Sequence, residues 1–427
     1  MRKAIATLAV ITVMTLVSTA LQANFTMFDM AKDSMYIVRG EYTGLERTQK
    51  GDRLTLRCDV IIKGDLVVGQ DIKLEPFEPA PADAALGREV IACFNLIDNK
   101  AMTYAYFNHP FAWRSFIFED SDMDSAPGGL DKNEQALRNF LAINAPHEAE
   151  IYAEWMKRVE RQDMGYEGKF AQPLIDEWKA ELLKQLTWSG TRAAFDAAKA
   201  LCEHDLFKGQ LSVAELQQIG AHVPMSAAGT LERSYELELI RNENSAHPDF
   251  NTQMAMLREE TSEACVGKLS NLMLAVEDRQ QVLERVGTLA SNRNETVQVR
   301  VNALQILQAL KDTDGLIYVH QALLGELEAP DTSKDVMRRA FSALRSTPHA
   351  DSAPVLDTAI ASEYVQASWE LQQRAWIAYS MIDTNDTNAT IRAKFNAAET
   401  QGLKFFFQKL LPENKIIRKL MIVHKED

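Results

Sequence analysis

A two-helix pattern recurs about every 37 residues from position 260 to the C-terminus, and it constrains the fold more than any other feature of the chain. Each first helix carries a small residue, followed one helical turn later by a large apolar one. The small residues are Cys265, Ala303, Ala340 and Ala375, and the large ones are Leu269, Leu307, Leu344 and Tyr379. Chains with such a period stack helical hairpins, because one hairpin cannot bury its apolar face alone.

The second helix of each repeat carries an apolar pair of its own. The pairs are Val282 and Val286, Val319 and Leu323, Leu356 and Ile360, and more faintly Ala393 and Ala397. Each pair follows the previous one by 37 residues. The two helices of the repeat therefore share one period, as expected for a stacked array.

The best-defined repeat resembles those of HEAT-type α-solenoids, in which a small residue lets two helices pack closely. It reads Val299-Arg300-Val301-Asn302-Ala303-Leu304, followed by Leu307, Leu310 and Asp312. The resemblance covers residues 251–427 and implies a HEAT-like solenoid there. Met337 and Gln372 stand where Arg300 would recur. The charged ladder that often ties such repeats together is thus predicted to be incomplete.

Residues 1–23 have the layout of a secretory signal peptide. Arg2 and Lys3 precede an uncharged apolar run from Ala4 to Val17, and small or polar residues follow. We expect cleavage near Ala20 or Ala23 and a periplasmic or secreted protein. An uncleaved membrane anchor is the alternative, because the apolar segment is close to the length of a membrane-spanning helix.

The formal charge argues against nucleic acid as a partner. It is −14 for the whole chain, and removal of Arg2 and Lys3 with the signal peptide makes it −16. Nucleic-acid affinity depends on phosphate neutralisation by Lys and Arg, which this balance disfavours.

Residues 24–118 carry β-signals. Short runs rich in branched or aromatic residues are separated by glycines and prolines: Met35–Gly40, Arg53–Ile62, Asp65–Leu74 and Glu89–Ile97. The stretch from Tyr36 to Asp65, with strands ending in Gly and a Lys-Gly turn, resembles small exported bacterial β-barrels of the OB or netrin-like kind. The resemblance implies a small barrel. Netrin-like inhibitors act through a Cys at the mature N-terminus, and the inhibitory mechanism is not implied because this chain has none there.

Two of the four cysteines fall in predicted strands. Cys58 follows Leu54 and Leu56 on an apolar face, whereas Cys93 alternates with Ile91 and Asn95. A Cys58–Cys93 disulfide needs neighbouring strands and facing side chains, and the alternative is two buried thiols. Cys202 and Cys265 lie in helical contexts.

Aromatic residues crowd the end of the β-segment around Trp113. They are Tyr104, Tyr106, Phe107, Phe111, Trp113, Phe116 and Phe118. Such rings can form a sugar- or lipid-binding platform, and they can equally fill the core of the β-domain.

Residues 119–133 are acidic and then Gly-rich, which predicts a linker. Asp120, Asp122 and Asp124 alternate, and Asp131 follows eleven residues after Asp120, as in a calcium loop. Ser125 replaces the Gly that such a loop requires. Asp131 has an alternative role with Glu134 in a capping-box-like helix start.

Residues 134–250 show helical periodicity and form a helical domain or irregular repeats. None of the common catalytic signatures is present. The nearest approach to a metal site is Cys202-Glu203-His204-Asp205, but consecutive side chains on a helix diverge by about 100°. The alternative is an ordinary helix C-terminus, and the sequence assigns no catalytic, cofactor-binding or metal residue.

The C-terminus is basic within an acidic chain. Lysines and arginines alternate there with apolar residues: Lys404, Phe405, Phe406, Phe407, Lys409, Ile416, Ile417, Arg418 and Lys419. Such a segment can contact an anionic membrane or an acidic partner, and it can also be the final helix that caps the stack. We favour the cap.

These features predict an α+β multidomain protein that works as an exported, non-enzymatic scaffold and binds a protein partner through its helical-repeat surface. An enzyme or metal-dependent hydrolase with a site where the β-domain meets the helices is one alternative. A carbohydrate- or lipid-binding module that uses the aromatics near Trp113 is the other.

Overall fold

The computed structural model describes residues 26–48, 51–73, 86–87, 89–94, 116–119, 129–161, 168–329 and 331–420. Over these ranges the chain is α+β, with a small antiparallel sheet followed by a long helical region. It divides into two compact units, Met1–Ala227 and Ala228–Asp427. The finer domain boundaries that the sequence indicates stay predictions.

Unit 1 begins with a short helix, α1 (Met27–Asp33), where the sequence indicated only β-structure. Thr26 and Asp29 form a capping box, in which each side chain accepts a hydrogen bond from the other residue's backbone N–H. Every residue from Met27 to Lys32 is buried. The helix is therefore held by packing on all sides, which a seven-residue helix needs because it is marginal by itself.

The sheet contains β1 (Tyr36–Thr48), β2 (Gly51–Lys63), β3 (Asp71–Lys73), β4 (Glu89–Phe94) and β5 (Phe116–Glu119), in the order β3-β2-β1-β4-β5. All its pairings are antiparallel. In the described part of the chain the sheet is open, with β3 and β5 at its edges. Closure into an OB-like barrel stays a prediction.

Gly40 marks an irregularity in the pairing of β1 with β2. The register shifts between Arg39 and Gly40, and a Cβ at position 40 would lie 1.9 Å from the carbonyl oxygen of Arg57. No residue with a side chain fits at that approach without moving the backbone.

The Cys58–Cys93 disulfide, which the sequence left open beside two buried thiols, is not formed, because both thiols are free. Cys58 lies on β2 and Cys93 on β4, and β1 runs between these strands. Two strand spacings amount to roughly 10 Å, beyond the reach of a disulfide. The two residues also face opposite sides of the sheet, since Cys58 packs with Leu54 and Leu56 and Cys93 does not join that cluster. The alternative of two buried thiols is confirmed.

The remaining helices of unit 1 are α2 (Gly129–Asn144), α3 (Glu148–Arg161), α4 (Gln172–Leu186), α5 (Arg192–Glu203) and α6 (Val213–His222). Phe28 of α1 stands at the centre of their core. Its ring makes edge contacts with the rings of Phe140, Trp178, His204 and Phe207. Aromatic pairs of this geometry add to the stabilisation from apolar burial.

The prediction that Asp131 starts helix α2 in a capping-box-like arrangement with Glu134 is wrong. The helix begins at Gly129, and the carboxylates of Asp131 and Glu134 both contact the Arg39 guanidinium of β1, at 2.5 and 3.1 Å. This arrangement anchors the helix to the sheet.

The signal peptide, Trp113, and the calcium-loop residues Asp120, Asp122 and Asp124 lie outside the described residues.

Unit 2 consists of helices, joined by short connections. They are α7 (Leu231–Ile240), α8 (Phe250–Glu259), α9 (Glu263–Val276), α10 (Arg279–Ser291), α11 (Val297–Leu310), α12 (Leu316–Leu327), α13 (Lys334–Ser346), α14 (Ala353–Ala361), α15 (Glu363–Gln366), α16 (Trp369–Ile382), α17 (Asn385–Ala397), α18 (Gln401–Leu410) and α19 (Lys415–Leu420).

These helices alternate between two layers. In the first layer α7, α9, α11, α13 and α16 pack each against the next, and in the second layer α10, α12 and α14 do the same. Chain neighbours in different layers also pack against each other, as α10 does with α11 and α12 does with α13. This order is compatible with a helical-repeat region. Within the described residues no helix is both long and apolar enough to cross a lipid bilayer.

The small residues of the repeat lie in the core between the layers. Cys265, Ala303, Ala340 and Ala375 are fully buried. The prediction that Ala393 and Ala397 form the apolar pair of the fourth repeat was wrong, because both side chains are exposed. Ile391 is buried and Phe395 packs against the core instead. That pair follows Leu356 and Ile360 by 35 residues, the same gap that separates Ala340 from Ala375.

Candidate functional site

The run Cys202-Glu203-His204-Asp205 lies at the C-terminal end of α5, which agrees with the interpretation of this run as an ordinary helix C-terminus. Glu203 is the last helical residue and His204 is the cap, whose backbone N–H donates to Ala200 at 3.0 Å. The side chains diverge: Glu203 and Asp205 are exposed, whereas His204 points into the core. No group of three His, Cys, Asp or Glu side chains suited to a metal ion is found in the described ranges.

His204 contacts helix α1, which the sequence did not indicate. Its Nδ1 accepts the backbone N–H of Leu206 at 3.2 Å, so the ring hydrogen belongs on Nε2. That Nε2 lies 3.5 Å from Oδ1 of Asp29. The other carboxylate oxygen of Asp29 accepts the backbone N–H and the hydroxyl of Thr26.

Both partners of this contact are nearly withdrawn from water, with side chains 9% and 10% exposed. Burial alone would raise the pKa of Asp29. The hydrogen bond of His204, the Lys32 ammonium and the Thr26 backbone outweigh burial and hold that pKa well below its usual range. The carboxylate is therefore charged at neutral pH.

A second carboxylate fixes the start of the same helix. Asp196 of α5 accepts the backbone N–H of Met27 and the Arg192 Nε, each at 2.9 Å. Burial raises the pKa of Asp196 to about 6, although Arg192, Met27 and Lys199 act in the opposite direction. Burial lowers the pKa of Lys199, because it disfavours the charged form of an amine as it does that of a carboxylate. The hydrogen bond that Asp196 accepts from Met27 joins α1 to α5.

Unit 2 contains a different kind of polar network, in which arginines pair with carboxylates inside the helical stack. The pairs are Arg233 with Glu260, Arg300 with Glu326, Arg338 and Arg374 with Glu370, and Arg418 with Asp383. Glu260, Glu326 and Glu370 are fully buried. A ladder of charge pairs therefore runs through the unit.

As the sequence predicted, the arginine at the position of Arg300 does not recur in the next repeat, and arginines at other positions supply charge pairs there. Met337, at the position equivalent to Arg300, is fully buried in the apolar core. Arg338, one residue later, supplies the guanidinium and contacts Glu370. Arg374 contacts the other oxygen of the same carboxylate, two residues after Gln372. The spacing of arginines alone did not indicate this pairing, because Arg338 contacts Glu370 on the neighbouring first-layer helix α16, whereas Arg300 pairs with Glu326 of the second layer.

The buried carboxylates also hold the loops between helices. Glu260 accepts the backbone N–H groups of Gly229, Thr261 and Ser262, and Ser262 is the N-cap of α9. Glu326 accepts the backbone N–H of Ser333, the N-cap of α13. Each carboxylate thus connects an arginine in the stack with the start of the next helix.

The outward face of the first layer is polar and tied from helix to helix. Lys268 of α9 donates to the carbonyl oxygen of Ser234 at 2.7 Å, and Gln305 of α11 donates to that of Glu263 at 2.7 Å. Arg339 of α13 forms an ion pair with Glu263 at the start of α9. This face therefore offers donors and acceptors on a pre-ordered frame.

The C-terminal helices pack as the end of the stack. Phe406, Phe407 and Leu410 of α18 belong to the core of unit 2. Arg418 of α19 is buried, and it donates to the carbonyl oxygens of Leu411 and Ser380. These contacts satisfy carbonyl groups at the ends of α18 and α16.

Comparisons of this chain with protein-family models, with curated protein sequences and with solved structures each found no match.

Proposed function

We propose that this chain is an exported, non-enzymatic scaffold that binds a protein partner through the outward surface of a HEAT-like helical repeat in unit 2. The observation that carries the proposal is the two-layer packing order, in which successive helices of one layer lie side by side. Stacked repeats of this kind present one continuous surface built from many helices, and such surfaces suit protein ligands.

The buried charge ladder supports a binding role. Holding charged groups inside a stack costs desolvation free energy that apolar residues would avoid, so the ladder contributes geometric definition more than stability. Glu260 and Glu326 fix the loop that precedes α9 and α13. A surface whose helices are held in register loses little conformational entropy on binding.

The cluster at His204 does not compete with this proposal as a reaction site. Its polar groups are saturated by each other and by α1, since Asp29 already accepts hydrogen bonds from Thr26 and faces His204. The arrangement anchors the first helix and leaves unit 2 as the candidate binding region.

The test is site-specific photocrosslinking in full-length protein, expressed in the cell that exports it. A photoreactive residue replaces one exposed side chain at a time, at Gln298 or Leu274 on the first layer, at Arg285 or Ile317 on the second layer, and at Tyr152 or Lys208 in unit 1. We expect one protein to be captured from unit 2 positions and not from unit 1 positions. Capture confined to unit 1, or no capture from any position, would contradict the proposal.

A further inference from the structure

The last helices of unit 2 carry three lysines that differ from most cations of this acidic chain. Lys394 lies on α17, and Lys404 and Lys409 lie on α18. Among the described residues none of the three has a carboxylate within ion-pair distance. By contrast, Arg392, close by on α17, is paired with Glu413 at 3.0 Å. Within the part of the chain that the structure describes, the positive charge of the three lysines therefore has no partner of opposite sign.

Each of these ammonium groups lies over an aromatic ring. Lys394 is 5.8 Å from the ring centre of Trp376, Lys404 is 5.7 Å from that of Phe395, and Lys409 is 4.2 Å from that of Phe405. Cation–π contacts hold the long side chains in place while the ammonium groups remain hydrated. Ordered lysines lose less side-chain entropy when they bind an anion.

Phe405 adds an apolar anchor to this surface. Its side chain is 60% exposed, whereas its neighbours Phe406 and Phe407 are buried in the core. Helix α19, which packs against α18, exposes Ile416 and Ile417. Aromatic side chains, Phe among them, are enriched at protein interfaces, so the exposed Phe405 suits contact with an apolar side chain of a partner.

We propose that Lys394, Lys404, Phe405 and Lys409, here called the lysine–phenylalanine face, bind an acidic peptide segment of a partner protein. Carboxylates of the segment face the three ammonium groups, and an aromatic or aliphatic side chain packs on Phe405. This inference rests on the proposed scaffold function and names its partner chemistry. Charge complementarity selects the occupant, because the three ammonium groups of the face match the carboxylates of an acidic segment.

The probe is a fluorescein-labelled octapeptide that alternates Glu and Phe, titrated with the full mature chain and followed by fluorescence anisotropy. Peptides that alternate Lys with Phe, and Glu with Ser, are the chemical controls. We expect the Glu/Phe peptide to bind, the Lys/Phe peptide not to bind, and the affinity to fall at least tenfold between about 50 and 500 mM salt, because exposed charges are screened.

Variants locate the binding. The triple change Lys394→Gln, Lys404→Gln and Lys409→Gln is expected to weaken the Glu/Phe peptide at least tenfold. The matched control, Lys208→Gln, Lys311→Gln and Lys334→Gln, makes the same change in net charge elsewhere and is expected to bind as the parent does. Replacing the three lysines of the face by Arg keeps the charge and the ring contacts, so this variant should bind normally if the Gln variant loses affinity for the stated reason.

Phe405→Ser separates the apolar contribution. It is expected to weaken the Glu/Phe peptide severalfold and to leave the weaker Glu/Ser peptide unchanged. Equal loss in the Gln triple variant and its matched control would overturn the proposal. So would binding of the full chain only to vesicles of phosphatidylglycerol and phosphatidylethanolamine, or a lysine-dependent self-association seen by sedimentation velocity.

These outcomes are distinguishable from failure of the scaffold function itself. If photocrosslinks concentrate on unit 2 and the peptide does not bind, the scaffold proposal stands and this face is not its contact. If the peptide binds and no crosslinked partner is found, the face has the stated chemistry but the scaffold proposal fails.

Discussion

Nε2 of His204 lies 3.5 Å from Oδ1 of Asp29, and this contact joins the end of α5 to the helix that precedes the sheet. The two residues are far apart in sequence, and both side chains are almost fully buried. Asp and His side chains usually face solvent, whereas here both lie in the core of unit 1. Because the pair is buried, its removal has a measurable cost.

We expect Asp29→Asn to lower the free energy of unfolding of unit 1 by about 2 kcal/mol, because it replaces the buried carboxylate that faces Nε2 of His204 and weakens the helix cap. The measurement is urea denaturation followed by tryptophan fluorescence. Asp205→Asn, an exposed change beside His204, is the matched control and should shift the midpoint little. Equal effects of the two substitutions would show that the contact contributes nothing specific.

Asp196 should give unit 1 a distinct pH dependence. Burial raises its pKa from 3.8 in the reference state to about 6 in the folded chain. The folded state therefore holds its proton over a range in which the unfolded state has lost it. Stability from this group falls as the pH rises from about 4 to 6, and it stays low above that range. The total corresponds to roughly 3 kcal/mol.

We accordingly expect Asp196→Asn to stabilise unit 1 at pH 7 relative to the parent, and the gain to disappear near pH 4. The amide oxygen can still accept the N–H of Met27, so the structural contact is retained. Asp29 acts in the opposite direction, because its lowered pKa contributes stability that is lost only as the pH falls below about 4. Melting temperatures between pH 4 and 8 test this. A gain that does not change with pH would rule out Asp196 as its source.

Removal of one partner of the Arg300–Glu326 pair should cost more stability than removal of both. We expect Arg300→Met to destabilise unit 2 by about 3–5 kcal/mol, because the fully buried Glu326 loses its main counter-charge. The double variant Arg300→Met with Glu326→Gln should recover part of that loss. Arg258→Met, which removes the exposed pair with Glu295, is the control and should cost less than about 1 kcal/mol. A double-mutant cycle by chemical denaturation measures the coupling.

Two glycines should respond to alanine with opposite signs. Gly40→Ala places a Cβ against the Arg57 carbonyl and should destabilise unit 1 by more than about 2 kcal/mol. At Gly402, in the first turn of α18, a Cβ meets no atom within 4 Å. Gly402→Ala should therefore stabilise unit 2 by about 0.5–1 kcal/mol. Thermal melting of both variants checks the signs.

The four cysteines should remain thiols even after expression in an oxidising compartment. Burial raises the pKa of Cys58 to about 11 and that of Cys93 further still, so neither is a ready nucleophile in the folded state. Alkylation of the protein after denaturation without reductant, followed by mass spectrometry, should show four modified cysteines. A disulfide that peptide mapping assigns to Cys58 and Cys93 would contradict their separation by β1.

The sequence by itself determined those features that repeat locally. Small and large apolar residues such as Ala303 and Leu307 follow a helical period, and that period predicted which side chains are buried in α9, α11 and α13. The strands at Tyr36 and Glu89 were predictable for the same reason, since alternation along one strand reflects its burial. The end of α5 at Glu203 followed from local polarity.

Only the tertiary structure decided which distant groups meet. Nothing near Asp29 in the sequence indicates that His204 covers it, and the spacing of Arg300 did not predict that Arg338 would pair with Glu370. Strand order separated Cys58 from Cys93, although each lies in a correctly predicted strand. Sequence periodicity indicates which side chains of an element are buried, because it reflects which face of that one helix or strand is turned to the core. The partner of a buried charge depends on how elements pack, and a single sequence carries no local pattern for that.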